Sequence, residues 1–200
     1  NLNLHGCSSL IYLTCTGNQL TQLDVSDCHS LRNLYCGSNS LTTLDCSELY
    51  NMQVLWCGSN LLESLFIKNG VQAVNGDFSL YPNETLRYIC VDDSELAFIQ
   101  SLLNYPQYAN CQVNNYCSFV PGGEYYTISG DQKIDTNGNG CDISDLAYPY
   151  FKMQIANGST SGTIFAEGDG HFSIGVAQGG HTITPIIENP TYFTVSPANV

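Results

Sequence analysis

The chain has 200 residues, of which 18 are Asp or Glu and only 5 are Lys or Arg, giving a formal charge of −13 at pH 7. So few cations leave no basic stripe to neutralise phosphates, which excludes sequence-independent nucleic-acid binding and argues against docking on anionic lipid. With 43% apolar residues and no run near the ~18 apolar residues of a membrane span, the composition is that of a folded domain with no membrane insertion. The chain opens on Asn1 with neither an initiator Met nor a signal peptide, and is expected to be a fragment of a longer one.

The first third repeats. Leu10, Leu13, Cys15, Asn18, Leu20 and Leu23 recur 21 residues on as Leu31, Leu34, Cys36, Asn39, Leu41 and Leu44. After another 21 they return as Met52, Leu55, Cys57, Asn60, Leu62 and Leu65. A period in this range marks a leucine-rich-repeat solenoid, in which no coil buries its apolar face alone and stacking builds a common core. Each coil is expected to lend one Leu-x-Cys strand to a curved parallel sheet. The asparagines should stack as a ladder that satisfies turn backbone. A degenerate turn over 71–80 and one more strand from Leu86, Ile89 and Val91 complete the array.

Ten cysteines need two explanations. Cys7, Cys15, Cys28, Cys36, Cys46 and Cys57 follow the repeat and read as small apolar core residues. No Cys-x-x-Cys pair occurs, so a zinc ribbon or thioredoxin-like motif is excluded. Asp92-Asp93-Ser94-Glu95 precedes Leu96, Phe98, Ile99, Leu102 and Leu103 at helical spacing. Asp92 or Ser94 is expected to cap this helix, which closes the solenoid within a cap of about 92–118. Cys90 and Cys111 flank it and are expected to be bridged.

From about residue 119 the period becomes two: Tyr125–Ile128, Phe151-x-Met153-x-Ile155, Phe172-x-Ile174-x-Val176 and Thr182–Thr184, with Gly and Pro between them. This predicts an antiparallel β-sandwich over 119–200 behind a solenoid over 1–118, a mostly β, α+β chain. Cys117 and Cys141 bracket its first strand and could staple the entrance. Disulfides persist in oxidising compartments, so these four cysteines point to export. Asn83-Glu84-Thr85 and Asn157-Gly158-Ser159 match glycosylation sequons but are expected to be accidental matches.

Asp135-Thr136-Asn137-Gly138-Asn139-Gly140 has oxygens at positions one, three and five and Gly at six, the start of a Ca²⁺ loop. Cys141 would offer its carbonyl at position seven. Leu146 stands at twelve where a Glu is wanted, and Asp142 or Asp145 could take its place. An ordinary polar hairpin turn is the alternative.

Residues 10–26 resemble the internalin-type leucine-rich repeats of exported Bacteroidetes proteins, with their string Leu-x-x-Leu-x-Cys-x-x-Asn-x-Leu-x-x-Leu-Asp-Val-Ser. The run 115–123 with Tyr125–Ile128 resembles the junction in flavobacterial surface proteins of the type IX secretion kind. The remainder is similar to the B-type, prealbumin-like or Ig-like domains of Gram-positive adhesins. These resemblances imply a cell-surface or extracellular protein, and calcium at the Asp135 loop.

For an enzyme there is no His-Glu-x-x-His, no Gly-x-Ser-x-Gly, no phosphate loop and no nucleotide fingerprint. Asp92, Asp93 and Glu95 cluster at a helix start, where carboxylates are expected anyway. Binding or adhesion without catalysis is the better reading. The strand positions alternating with the inward Leu and Cys face outward on the concave sheet: Tyr12, Thr14 and Thr16, then Asn33, Tyr35 and Gly37, then Val54, Trp56 and Gly58. Tyr35 and Trp56 stand side by side there, and exposed aromatics of this kind dominate binding hot spots. Tyr12, Thr14, Tyr35 and Trp56 are the expected contact residues for a protein or glycan at the cell surface. A cross-strand pair that only stabilises the sheet is the alternative. A spacer with no ligand of its own, or an accessory domain of a secreted hydrolase, are the remaining readings. Oligomeric state is not legible.

Overall fold

The computed structural model describes residues 2–71, 77–119, 122–140 and 142–196. Among the described residues up to 119 there are eight short strands: β1 (Tyr12–Thr14), β2 (Asn33–Tyr35), β3 (Thr43–Asp45), β4 (Val54–Trp56), β5 (Ser64–Phe66), β6 (Asp77–Ser79), β7 (Tyr88–Cys90) and β8 (Gln112–Asn114). They do not make one sheet, as the repeat suggested, but two. All pairings are parallel, β1-β2-β4-β6 in one sheet and β3-β5-β7-β8 in the other. A full coil therefore gives a strand to each sheet, and about four such coils stack into a solenoid.

The stacking follows from the side chains. Leu34, Leu55 and, in the second sheet, Leu44, Leu65 and Ile89 sit at the centre of their strands and are fully buried. The apolar columns run through the whole array: Cys15, Cys36 and Cys57 are continued by Leu80 one coil on, and Cys46 by Ile67 and Val91. Backbone bonds tie coil to coil, the amides of Cys15, Cys36 and Cys57 donating to the carbonyls of Tyr35, Trp56 and Ser79 at 2.8, 2.9 and 2.8 Å. At Gly58 the neighbouring coil comes so close that a Cβ would lie 2.0 Å from the Tyr81 carbonyl oxygen, so no side chain fits.

The strand expected from Leu86, Ile89 and Val91 is β7, and it joins the second sheet rather than continuing the first. Of the degenerate turn, 72–76 lie outside the described residues, and 77–79 form β6. The helix α1 (Leu96–Leu102) buries Leu96 and Ile99, but its N-cap is Glu95, with no side-chain cap bond. Neither expected cap, Asp92 or Ser94, holds that position, and Asp92 is turned elsewhere: its Oδ2 accepts from the amides of Asn69 and Gly70 at 2.9 and 2.8 Å. A turn of 3₁₀ helix (Pro106–Tyr108) leads into β8, so the array's end is covered by a helix and by one further strand.

Beyond it come β9 (Tyr126–Asp131), β10 (Lys133–Ile134), β11 (Leu146–Ala147), β12 (Lys152–Ala156), β13 (Ser161–Phe165), β14 (His171–Val176) and β15 (Thr182–Pro185). All pair antiparallel: β14 with β9, β10 with β11, and β12 between β13 and β15. Met153, Ile155, Ile164, Phe172, Ile174, Val176 and Ile183 alternate inward from these strands and share one core with Tyr116. The chain divides into two units, Asn1–Asn115 with Val120–Gly123, and Tyr116–Phe119 with Glu124–Val200.

The cysteine pairing differs from the expected one. Cys90 and Cys117 form the disulfide, and Cys111 is a free thiol. Flanking a helix in sequence is no guide to pairing, because connectivity is not encoded in spacing. The expected Cys117–Cys141 bridge fails for Cys117, whose bond is to Cys90, and Cys141 lies outside the described residues. Cys7, Cys15, Cys28, Cys36, Cys46 and Cys57 are free thiols.

Candidate functional site

The outward face of the first sheet is built by register. Tyr35 stands level with Thr14 on one side and Trp56 on the other, and Trp56 level with Ser79. Tyr12 and Asp77 reach in diagonally from their own strands. The result is a row of rings, Tyr12 to Tyr35 at 5.3 Å and Tyr35 to Trp56 at 5.2 Å between centroids. The rings are not coplanar: the first pair is tilted by 39° and the second is edge-on at 70°. Tyr12 is 56% and Trp56 46% exposed, Tyr35 is half-buried between them, and Thr14 is exposed. The indole Nε1 of Trp56 donates to Asp77 Oδ1 at 3.2 Å, which fixes the ring and leaves a carboxylate at the end of the row. Asp77 falls in the stretch read as a degenerate turn, so sequence reasoning missed it. Once Asp77 is paired in register with Val54, its place beside the last aromatic follows.

The second sheet offers no such face. Of its outward positions Asp45 is exposed, but Ser64, Phe66 and Tyr88 are buried, Phe66 against Tyr88 at 5.5 Å. The Tyr88 hydroxyl donates to Asn114 Oδ1 at 3.0 Å, and the Gly122 amide donates to Ser64 Oγ at 3.3 Å.

The thiol columns are chemically quiet. Burial pushes the Cys57 thiol up to about 12 and the Cys36 and Cys46 thiols well above the ordinary range, so each is a protonated apolar group at neutral pH.

In the 135–145 loop the carboxylates cap their own turns. Asp135 Oδ1 accepts from the Gly138 amide at 2.7 Å and Oδ2 from the Gly140 amide at 3.0 Å. Asp142 Oδ1 accepts from the Ser144 hydroxyl at 2.6 Å and amide at 2.7 Å, and Asp145 Oδ2 from the Asp142 amide at 2.9 Å. These bonds hold both the Asp135 and the Asp142 carboxyl below the usual carboxylate range. Asn137 accepts the Asn139 amide, and Asn139 donates to Asp142 Oδ2 at 3.2 Å. Among the described residues no three His, Cys, Asp or Glu side chains gather to hold a metal ion, and Cys141 is not one of those residues.

Both histidines of the second unit have defined partners. His171 Nδ1 lies 2.9 Å from Asp131 Oδ1, and that bond raises the imidazole pKa. His181 bridges the Tyr116 hydroxyl, 2.7 Å from Nδ1, and the Ala177 carbonyl, 2.8 Å from Nε2. The carbonyl can only accept, so Nε2 donates to it, and in the neutral imidazole Nδ1 accepts a hydrogen bond from the Tyr116 hydroxyl. Sequence gave no signal for this bridge, whose ends are 65 residues apart.

No described helix is long and apolar enough to cross a membrane. Compared with protein-family models, curated proteins and solved structures, the chain matches none.

Proposed function

We propose that this chain is a non-enzymatic binding module of a secreted or cell-surface protein, and that it takes its ligand on the outward face of the first sheet. One observation carries this reading: Tyr12, Tyr35 and Trp56 form a continuous aromatic row while Tyr12 and Trp56 stay largely in solvent. Aromatic residues held rigidly at a surface are the type that dominates binding energy, and contiguous exposed apolar area on a soluble fold marks interaction sites. The 21-residue period supports a solenoid of the leucine-rich-repeat kind. Two main antiparallel sheets over one core support an Ig-like or prealbumin-like sandwich behind it. The Cys90–Cys117 disulfide supports an oxidising compartment outside the cytosol.

The test is retention of the whole chain on immobilised neutral polysaccharides, anionic polysaccharides, and neutral and basic polypeptides, alongside Trp56→Ala. At least one polymer should retain the wild type and lose the variant by ~2 kcal/mol or more. Equal behaviour of both proteins on every polymer would leave the spacer reading instead.

A further inference from the structure

The ligand class can be narrowed, on the premise that the aromatic row is the binding face. Three features of that face select among ligands. The first is tilt. Rings at 39° and 70° to one another share no plane, so a flat chain of sugar rings can stack on one of them at a time. The second is Asp77, exposed and hydrogen-bonded to the Trp56 indole, which sets an anionic group against the rim of the last ring. The third is the field around it. Residues 1–115 carry ten Asp or Glu and three Lys or Arg, and of those three Lys68 is tied to the Asn115 carbonyl at 2.6 Å. Such a surface repels polyanions and a second copy of this chain, and raises the local concentration of cations.

We infer that the face binds a basic polypeptide segment in extended form, whose arginines stack on Trp56 and Tyr35 and pair with Asp77. A guanidinium is planar, stacks on aromatic faces at any of the tilts present, and forks onto a carboxylate. An ammonium does only part of this, and a neutral sugar has no use for the charge. An extended segment presents alternate side chains to one side, as a row of rings along a sheet requires.

Trp56 is the only tryptophan in the chain, so its fluorescence reports on this face alone. The probes are a capped peptide with arginines at alternate positions separated by threonines, the same peptide with glutamine for arginine, and a neutral β-linked glucose oligosaccharide. The arginine peptide should shift the Trp56 emission saturably and the glutamine peptide should not. Raising salt from about 0.05 to 0.5 M should weaken the arginine complex severalfold through screening. Asp77→Asn keeps an acceptor for the indole and removes only the charge, and should cost up to about fivefold at this exposed site. Tyr35→Leu gives a second variant should that one misfold. A salt-insensitive response to the oligosaccharide or the glutamine peptide would overturn the arginine inference while sustaining the binding face. No response to the arginine peptide overturns it as well, and the polymer comparison above then decides the binding face separately.

Discussion

The side-chain oxygen of Asn83 accepts the Leu62 amide proton at 3.1 Å, which makes Asn83 the fourth rung of the column begun by Asn18, Asn39 and Asn60. Each of the upper rungs works in both directions. Asn60 accepts from the Leu41 amide at 3.0 Å and donates to the carbonyls of Cys36 and Cys57 at 3.1 and 2.9 Å. Asn83 repeats this with Leu62, Cys57 and Leu80. Burial deepens along the column, from exposed Asn18 to Asn83 with no exposed surface. Asn83 is therefore structural, and its sequon cannot be glycosylated in the folded chain.

Substituting rungs tests this gradient. Asn60→Ala orphans the Leu41 amide in a dry interior, while the Cys36 and Cys57 carbonyls keep the bonds from Asn39 and Asn83, and it should destabilise the chain by about 1–3 kcal/mol, the cost of one unsatisfied buried group. Asn18→Ala, whose partners see water, should cost under ~1 kcal/mol. Urea unfolding of the two variants would reveal equal losses if the column were only decorative.

The fourth rung shows why the repeat was only partly legible. Asn18, Asn39 and Asn60 keep a period of 21, but the next coil carries two extra residues and displaces the rung to 83. The second sheet was hidden for a different reason. Thr43-Leu44-Asp45 and Ser64-Leu65-Phe66 offer one apolar centre each, too short to read as strands until a neighbouring coil pairs with them. The aromatic row was legible because register in a parallel coil follows the period, whereas Asp77 and the Cys90–Cys117 bond depend on where the chain returns in space. Of the second unit's strands β9, β12, β14 and β15 were readable from their alternation of period two; β10 and β11 are too short at two residues each to show it, and in β13 Gly162 and Thr163 weaken the apolar pattern.

The thiols separate packing from chemistry. Cys57→Val, which follows the column's own replacement of Cys by Leu80, should cost less than about 1.5 kcal/mol, and Cys57→Ser more, because it buries a hydroxyl. Alkylation in denaturant without reductant, followed by peptide mass mapping, should label Cys111 and leave Cys90 and Cys117 unlabelled until reduction. A recovered Cys90–Cys111 peptide would contradict the pairing.

His171 and Asp131 face each other at the end of the β9–β14 ladder, so their bond makes the sheet's edge pH-dependent. The folded imidazole's pKa is raised by the Asp131 hydrogen bond above an unfolded value of about 6.5. The stabilisation is therefore complete below about pH 6.5 and lost as pH rises through the folded pKa. The His171 ring protons should titrate above the ordinary midpoint in wild type and return towards it in Asp131→Asn. Amides at this end of the ladder should exchange faster, relative to the ladder's centre, at pH 8 than at pH 6. Identical titration in both proteins would remove the pair from the account.

The Asp135 turn has the opposite sign. Hydrogen bonds from the amides of Gly140 and Gly138 depress the folded carboxyl, and those from Ser144 do the same for Asp142. The turn's stabilisation is present above the unfolded value of about 3.9 and disappears as pH falls through the lower folded one. The Gly138 and Gly140 amides should lose their hydrogen-bonded shifts in acid, and Asp135→Ala should reproduce that state at pH 7. Calcium competes for the same oxygens. To be held it must draw Asp135 away from two amides and Asp145 from the Asp142 amide, so binding no tighter than about 10⁻⁴ to 10⁻³ M is expected. A calcium titration followed at Gly138 and Gly140, on protein first treated with chelator, measures this directly. A midpoint far below that range would mean that the loop reorganises into an oxygen cage, and that its carboxylates are ligands first and turn caps only in the metal's absence.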